Sequence, residues 1–127
     1  MTPADFRLLA GRLYDRLPRP LLTGLNGGLS VLDRVKTDRE GPPGTFILGE
    51  YHIQEPGLGR LICIYHGSFL RVLGNAPPAA WEEELWRTML HEIRHHREAM
   101  AGRNDLADEE AGRQKRTKDE VLSTKEE

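Results

Sequence analysis

The longest periodic segment of the chain, about residues 79–100, predicts an amphipathic helix. Three glutamates at positions 82–84 lie near its start, where the helix dipole favours negative charge. Its apolar residues share one broad face: Trp81, Leu85, Trp86, Met89, Leu90, Ile93 and Met100. Because 127 residues suffice for one domain with a single modest core, any active site must share its walls with that core.

The remaining elements predict an α+β fold. Thr2 as a cap, Pro3 in the first turn and leucines at helical spacing indicate an N-terminal helix that ends before Pro18. The segments "LSVLDRV", "TFILGEYHI" and "GRLICIYHGSFLRVL" predict a small sheet of three to four strands. We therefore expect one domain over residues 1–110, followed at 111–127 by a polar, flexible C-terminal tail.

Composition excludes several classes of function. Eighteen basic and twenty acidic residues give a formal net charge of -2, and no half of the chain is strongly basic, so nucleic-acid binding is disfavoured. No signal peptide and no run of eighteen apolar residues is present, which predicts a cytoplasmic protein without a membrane partner. The lone cysteine, Cys63, lies in a strand-like apolar run and is expected in the core.

The stretch "TMLHEIRHHREAMAGRND" places a His-Glu-x-x-His pattern on the long helix. His91 and His95 are four residues apart, so both imidazoles can point at a single ion from the edge of the apolar face. Glu92 is rotated toward the core side of that edge, close enough to take a proton from water on the ion. Composition alone would produce this pattern in roughly one such chain in fifty, so chance is the less favoured explanation.

The motif "TMLHEIRHH", preceded by "ILGEY" and "ICIYHGSF", resembles the bacterial minimal zincin-like metallopeptidase domain family. Its members show a strand ending in Leu-Tyr-x-Gly and then a helix with His-Glu-x-x-His-His. The likeness runs over about residues 5–106, and the doubled histidine is its most specific part. The resemblance implies a small mixed sheet packed against the motif helix, an edge strand bordering a substrate cleft, a bound zinc ion and a peptide or protein substrate.

The resemblance also implies a third zinc ligand, an aspartate in a Gly-x-x-Asp sequence close after the doubled histidine. Here "GRND" arrives four residues later, which adds about 6 Å of helical rise before Asp105. Gly102 could end the helix and let the chain reverse. The next candidates for the third ligand are Asp108 or Glu109, and then Glu98. Glu98 lies on the same side of the helix as His91 and His95, but about 10 Å along the axis from His91. That position better suits a residue that orients a ligand, or a surface charge.

Four other side chains have more than one interpretation. His96 falls in the middle of the apolar face, where a hydrogen-bonded core histidine is the more frequent outcome and direct metal contact the alternative. The resemblance places Tyr65 and His66 beside the cleft, where they could donate to a developing oxyanion, although ordinary strand packing is the more frequent outcome. His52 has no partner pattern and is expected at the surface or within a strand.

The sequence thus supports two principal hypotheses of different class. The first is a zinc-dependent peptidase in which His91, His95 and Asp105 hold the ion, while Glu92 accepts a proton and passes it to the leaving amine. The alternative is a zinc-stabilised binding or regulatory domain without turnover, in which His96 or an extra carboxylate closes the site. A chain without any metal is the third and least favoured possibility. Oligomeric state and substrate identity are not predicted.

Overall fold

The structure is a computed structural model that describes residues 1–54, 59–110 and 115–122, with side chains described over 1–54 and 59–102. A short 3-10 helix, Arg19–Leu22, follows the first α-helix. The other elements, in chain order, are α1 (Pro3–Asp15), β1 (Gly28–Leu32), β2 (Thr45–Gln54), β3 (Gly59–Tyr65), α2 (His66–Leu73), α3 (Pro78–Glu110) and β4 (Lys115–Leu122).

The strands form one mixed sheet in the order β1-β3-β2-β4. Strand β1 runs parallel to β3, whereas β2 runs antiparallel to both β3 and β4. This confirms the predicted α+β fold, with a small mixed sheet, an N-terminal helix and a long helix that carries the histidines.

Helix α1 begins as its sequence predicts. The Thr2 side chain accepts a hydrogen bond from the Asp5 backbone N–H at 3.1 Å, and Pro3 occupies the first turn, where its missing donor has no effect. Its buried face consists of Phe6, Leu9, Ala10 and Leu13. That face joins the main core, where the ring of Phe6 meets the ring of Trp81 from α3 edge-on.

Helix α3 packs closely on the sheet at Gly49 of β2. A Cβ atom at Gly49 would lie 2.9 Å from Thr88 Cγ2 and 3.2 Å from Ile64 Cδ1, so a larger residue would push the helix away. This contact fixes α3 on the sheet one turn before the histidines. Although α3 is 33 residues long, no helix in the described part of the chain is apolar enough to cross a membrane.

The predicted strand over residues 59–73 is a strand followed by a helix. Strand β3 ends at Tyr65 and α2 begins at His66. Helix α2 passes very close to the loop between β1 and β2. A Cβ atom at Gly67 would lie 2.5 Å from the backbone of Arg34 and Val35 in that loop. An apolar run this short does not distinguish a buried strand from a buried helix, which explains the wrong boundary.

Two expectations about the C-terminal region are also wrong. Helix α3 does not end at Gly102 but continues to Glu110, because a glycine inside a helix costs only about 1 kcal/mol relative to alanine. Lys115–Leu122 form β4 and pair with β2, although residues 111–127 were expected as a tail. Main-chain hydrogen bonds hold an edge strand, so it needs no apolar alternation that hydropathy could reveal. The boundaries of the single domain stay a prediction.

Candidate metal centre

Helix α3 brings His91 and His95 together at the edge of its buried face. Their Nε2 atoms lie 3.0 Å apart, and their rings meet edge-on with centroids 4.6 Å apart. Two nitrogen ligands of a tetrahedral zinc ion, with bonds of about 2.0 to 2.1 Å, are separated by about 3.3 Å. The two expected ligands therefore stand at a spacing that a shared ion fits with little adjustment.

The neighbours of α3 show which way this pair of histidines faces. Thr88 approaches β2, and His96 is bonded to Tyr51 of the same strand. Farther around the helix, Leu90 and Ile93 line a groove of about 390 Å³ together with Leu21 of the short 3-10 helix. His91 and His95 project from the other side, so the pair faces the edge of the sheet where β4 lies beside β2.

Glu92 is a fully buried carboxylate beside this pair. Its exposed fraction is 0 %, and it shares the sheet-facing side of α3 with Thr88 and His96, which are also buried. A side chain next to one ligand in sequence, but rotated about 100° from it, is not expected to share the ion. The burial and position of Glu92 fit the predicted role of a proton acceptor.

His96 lies in the core, and both of its ring nitrogens have partners. Its Nε2–H donates to the Thr23 carbonyl oxygen at 2.8 Å, which leaves Nδ1 to accept from the Tyr51 hydroxyl at 2.7 Å. The Tyr51 oxygen in turn accepts from Arg60 at 3.2 Å. Burial lowers the pKa of His96, which favours the neutral ring. Neither nitrogen of His96 is left to bind a metal.

Glu98 lies beside the Nδ1 atom of His95, on the opposite edge of that ring from the Nε2 atom that faces His91. Its Oε1 lies 3.7 Å from Nδ1 of His95, and its Oε2 lies 3.5 Å from Nε of Arg94. The side chain is 63 % exposed. This placement suits a carboxylate that orients the His95 ring through its outer nitrogen, rather than one that binds the ion.

Only the backbone of the expected third ligand, Asp105, is described, and it lies on the continuous helix α3. Because α3 is continuous to Glu110, the backbone of Asp105 lies ten residues beyond His95, or about 15 Å along the axis. The side chains of Asp105, Asp108 and Glu109 lie outside the described residues. Among the side chains that are described, no group of three His, Cys, Asp or Glu residues is arranged to hold a metal.

The structure also leaves His66 and Tyr65 away from the histidine pair. His66 begins α2, where its Nε2 donates to the Met1 carbonyl oxygen at 2.9 Å and its ring stacks on Trp81. Trp81 precedes His91 by ten residues on α3, a separation of about 15 Å. Tyr65 lies with Ile47, Leu61 and Cys63 on the other face of the sheet from α3. The core position expected for Cys63 is thus observed.

The sequence did not indicate the buried ionic network around Glu50. Its Oε1 accepts hydrogen bonds from Tyr65 at 2.7 Å, Lys36 at 2.8 Å and His52 at 3.0 Å. Burial by itself would raise the pKa of Glu50, but these three donors outweigh it and lower the pKa to about 2. Neighbouring Cys63 and Glu50 raise the pKa of His52 to about 9 against the effect of burial.

One signal for this network was available in the sequence. Residues two apart on a strand share a face, so Glu50 and His52 of "GEYHI" point to the same side of β2. Cys63 is the register partner of Glu50 on β3, which completes the cluster. What the sequence did not reveal is that this face of the sheet would be buried, nor that Lys36 from the preceding loop would reach it.

The network predicts how folding stability depends on pH. The pKa of folded Glu50, about 2, is below its ordinary 4.5, so its contribution is present above about pH 4.5 and is lost as pH falls toward 2. The pKa of folded His52, about 9, is above its ordinary 6.5, so its contribution is present below about pH 6.5 and is lost as pH rises through 9. We therefore expect the free energy of unfolding to be largest between about pH 4.5 and pH 6.5.

Urea denaturation at pH 6 and pH 10 tests this expectation. The native protein should lose roughly 3 kcal/mol of unfolding free energy between the two values because of the raised pKa of His52. Glu50→Gln should be less stable at pH 6 and should show a smaller loss, whereas Glu40→Gln, at an exposed position, should behave as the native protein does. The same pH dependence in Glu50→Gln and in the native protein would show that the network does not control it.

Comparison with known proteins places this geometry in a family. The sequence matches the family model for zincin-like metallopeptidases over residues 40–113. A solved structure, a conserved hypothetical protein from Thermo thermophilus, is 41 % identical with a TM-score of 0.70, and the match covers 80 % of this chain and 99 % of that one. No curated protein matches the sequence. The chain belongs to the zincin-like metallopeptidase family.

Proposed function

We propose that the protein is a zinc-dependent peptidase in which His91 and His95 bind the ion and Glu92 moves the proton. The observation that carries this proposal is the 3.0 Å approach of the two Nε2 atoms with a fully buried carboxylate next to them. Membership of a metallopeptidase family supports the same chemistry. Cytoplasmic location and a peptide or protein substrate belong to the proposal as well.

Four residues of α3 have separate roles in the proposed reaction. A bound zinc ion would supply Lewis acidity, lowering the pKa of water toward neutrality and polarising the scissile carbonyl. His91 and His95 would hold the ion through their Nε2 atoms, and Glu98, whose carboxylate lies 3.7 Å from Nδ1 of His95, would help to orient that ring. Glu92 takes up the proton of the attacking water on its carboxylate and delivers it to the leaving amine. Burial holds Glu92 in place for both transfers.

The non-catalytic alternative, a zinc-stabilised binding or regulatory domain, requires four protein ligands. His96 does not provide the fourth, because its nitrogens are bonded to Tyr51 and Thr23. Exclusion of His96 removes one of the two candidates for the fourth ligand, and an additional carboxylate is the other.

A peptide-library assay tests the proposed activity. The native protein should cleave some members, lose that activity when a chelator removes the metal, and regain it on addition of zinc. Chelator-resistant cleavage would argue against a metal mechanism. Zinc bound by four protein ligands, together with no cleavage of any member, would favour the binding domain instead.

The third ligand can be tested by substitution. We propose Asp105, which requires helix α3 to open at Gly102, and we expect Asp105→Ala to weaken zinc binding more than Glu98→Ala does. Loss of an orienting partner of a ligand typically lowers metal affinity by about 10 to 100-fold. Gly102→Ala should also weaken binding, because alanine favours the closed helix by about 1 kcal/mol. Competition with a chelating dye measures all three affinities.

The ordering of Asp105 before Glu98 is open to contradiction. If Glu98→Ala loses as much affinity as His95→Ala while Asp105→Ala binds normally, Glu98 is the ligand. An unchanged affinity in Gly102→Ala, with a reduced one in Asp105→Ala, would mean that the aspartate reaches the ion without opening of the helix.

A further inference from the structure

Strand β4 covers the edge of the sheet that lies beside the candidate metal centre. It pairs antiparallel with β2 from Thr45↔Leu122 to Ile53↔Lys115. Because the strand order is β1-β3-β2-β4, β2 would be the edge strand if β4 were absent. The family match ends at residue 113, so β4 lies beyond the part of the chain that defines the family.

The register places the middle of β4 level with the histidine pair. Helix α3 meets β2 at Gly49 through Thr88 and at Tyr51 through His96, and the pair lies between these two contacts on α3. The partners of Gly49 and Tyr51 on β4 are Asp119 and Thr117. An extended chain along this edge of β2 therefore passes beside the candidate metal centre.

The bare edge of β2 has the properties of a peptide-docking surface. An unpaired strand edge presents a row of main-chain donors and acceptors, which an added strand satisfies whatever its side chains are. The sequence of β4, "KRTKDEVL", is predominantly polar and yet pairs along nearly the whole of β2. Pairing at this edge is thus achieved by the main chain and makes little demand for apolar side chains.

We propose that β4 is an internal occupant of this edge, and that an extended peptide binds antiparallel to β2 in its place once β4 has left. The idea that β4 controls peptidase activity rests on the proposed function. The idea that a peptide can replace β4 on β2 does not. Only four residues join β4 to α3, so β4 competes at an effective concentration in the millimolar range. A free peptide of equal intrinsic affinity should therefore bind the native protein at least tenfold more weakly than it binds a protein whose β4 is detached.

Two proline variants of the full-length protein provide a matched test. Neighbouring residues of an antiparallel strand direct their N–H groups to opposite sides, so one of Thr117 and Lys118 directs its N–H toward β2 and the other directs it away. Proline abolishes pairing at the first kind of position and is tolerated at the second on an edge strand. Of Thr117→Pro and Lys118→Pro, one should detach β4 and the other should serve as its control.

The readout is binding of a labelled peptide with the sequence of Lys115–Leu122 to metal-free protein, followed by fluorescence anisotropy. We expect one variant to bind the peptide at least tenfold more tightly than the native protein, and the other to bind as the native protein does. Circular dichroism should show that both variants are folded. Equal binding by all three proteins would overturn the inference.

Hydrogen exchange on the native protein gives an independent test that needs no variant. If β4 leaves without unfolding the core, the β2 amides bonded to β4 should exchange at least 100-fold faster than the β2 amides bonded to β3. Similar rates for the two sets would contradict an exchangeable β4.

The peptidase assay separates this inference from the proposed function. If one variant gains peptide binding but neither the native protein nor a variant cleaves any peptide, the inference about peptide docking is supported and the proposed peptidase activity is contradicted. Equal cleavage by the native protein and both variants would retain the enzyme and refute control by β4.

Discussion

Glu92→Gln should abolish peptide hydrolysis while leaving zinc binding and the fold intact. Glutamine has nearly the shape of glutamate, so the fully buried site can accept it, but an amide does not take up the proton of the attacking water. His91 and His95, which present their Nε2 atoms to each other, are unchanged. General-base assistance is usually worth about 10² to 10⁴ in rate, so the loss should be evident with any cleavable peptide.

The comparison requires matched zinc content and a control on the same helix. Glu83→Gln is suitable, because the Glu83 side chain is 74 % exposed and pairs only with Arg87 among the described residues. The native protein and Glu83→Gln should cleave equally. Equal cleavage by Glu92→Gln would remove Glu92 from the mechanism and implicate another base or a contaminating protease.

The second large effect concerns the three histidines of the motif. His91→Ala and His95→Ala should each lose tightly bound zinc, because their Nε2 atoms converge at the edge of α3. His96→Ala should retain zinc but lose stability, since its removal deletes a buried ring and takes away the hydrogen-bond acceptor of the buried Tyr51 O–H group. Loss of the partner of a buried hydrogen-bonding group costs about 1 to 3 kcal/mol, so we expect a loss of unfolding free energy of at least that size.

Metal content and urea denaturation separate these two outcomes. The first two variants should bind little zinc yet unfold near the midpoint of metal-free native protein, whereas His96→Ala should unfold at a clearly lower urea concentration. Equal zinc loss in all three variants would show that the helical positions assigned to the histidines are wrong. It would also return His96 to the set of candidate ligands.

The sequence predicted those features that depend on neighbours along the chain. Thr2 caps α1 and the apolar stripe of α3 packs on the sheet, because capping and helical periodicity are local properties. The approach of His91 and His95 follows from their spacing of four residues. The burial of His96 was expected from its angular position on the same helix.

Features that depend on distant parts of the chain were not predicted. The change from strand to helix after Tyr65 lies where Gly67 approaches the backbone of Arg34, a contact between distant parts of the chain that no local pattern records. Strand β4 depends on an available edge of β2, and the network at Glu50 depends on Lys36 from a separate loop. The third metal ligand belongs with these, because it depends on the path of the chain beyond Gly102.

Elemental analysis of the full-length protein, purified without added metal, tests the central claim most directly. We expect zinc close to one equivalent per chain in the native protein and close to none in His91→Ala. Both proteins must give the same circular dichroism spectrum for the comparison to report on the metal site. Native protein that is folded and takes up no zinc, even when zinc is supplied, would contradict the proposed metal centre and the peptidase activity that depends on it.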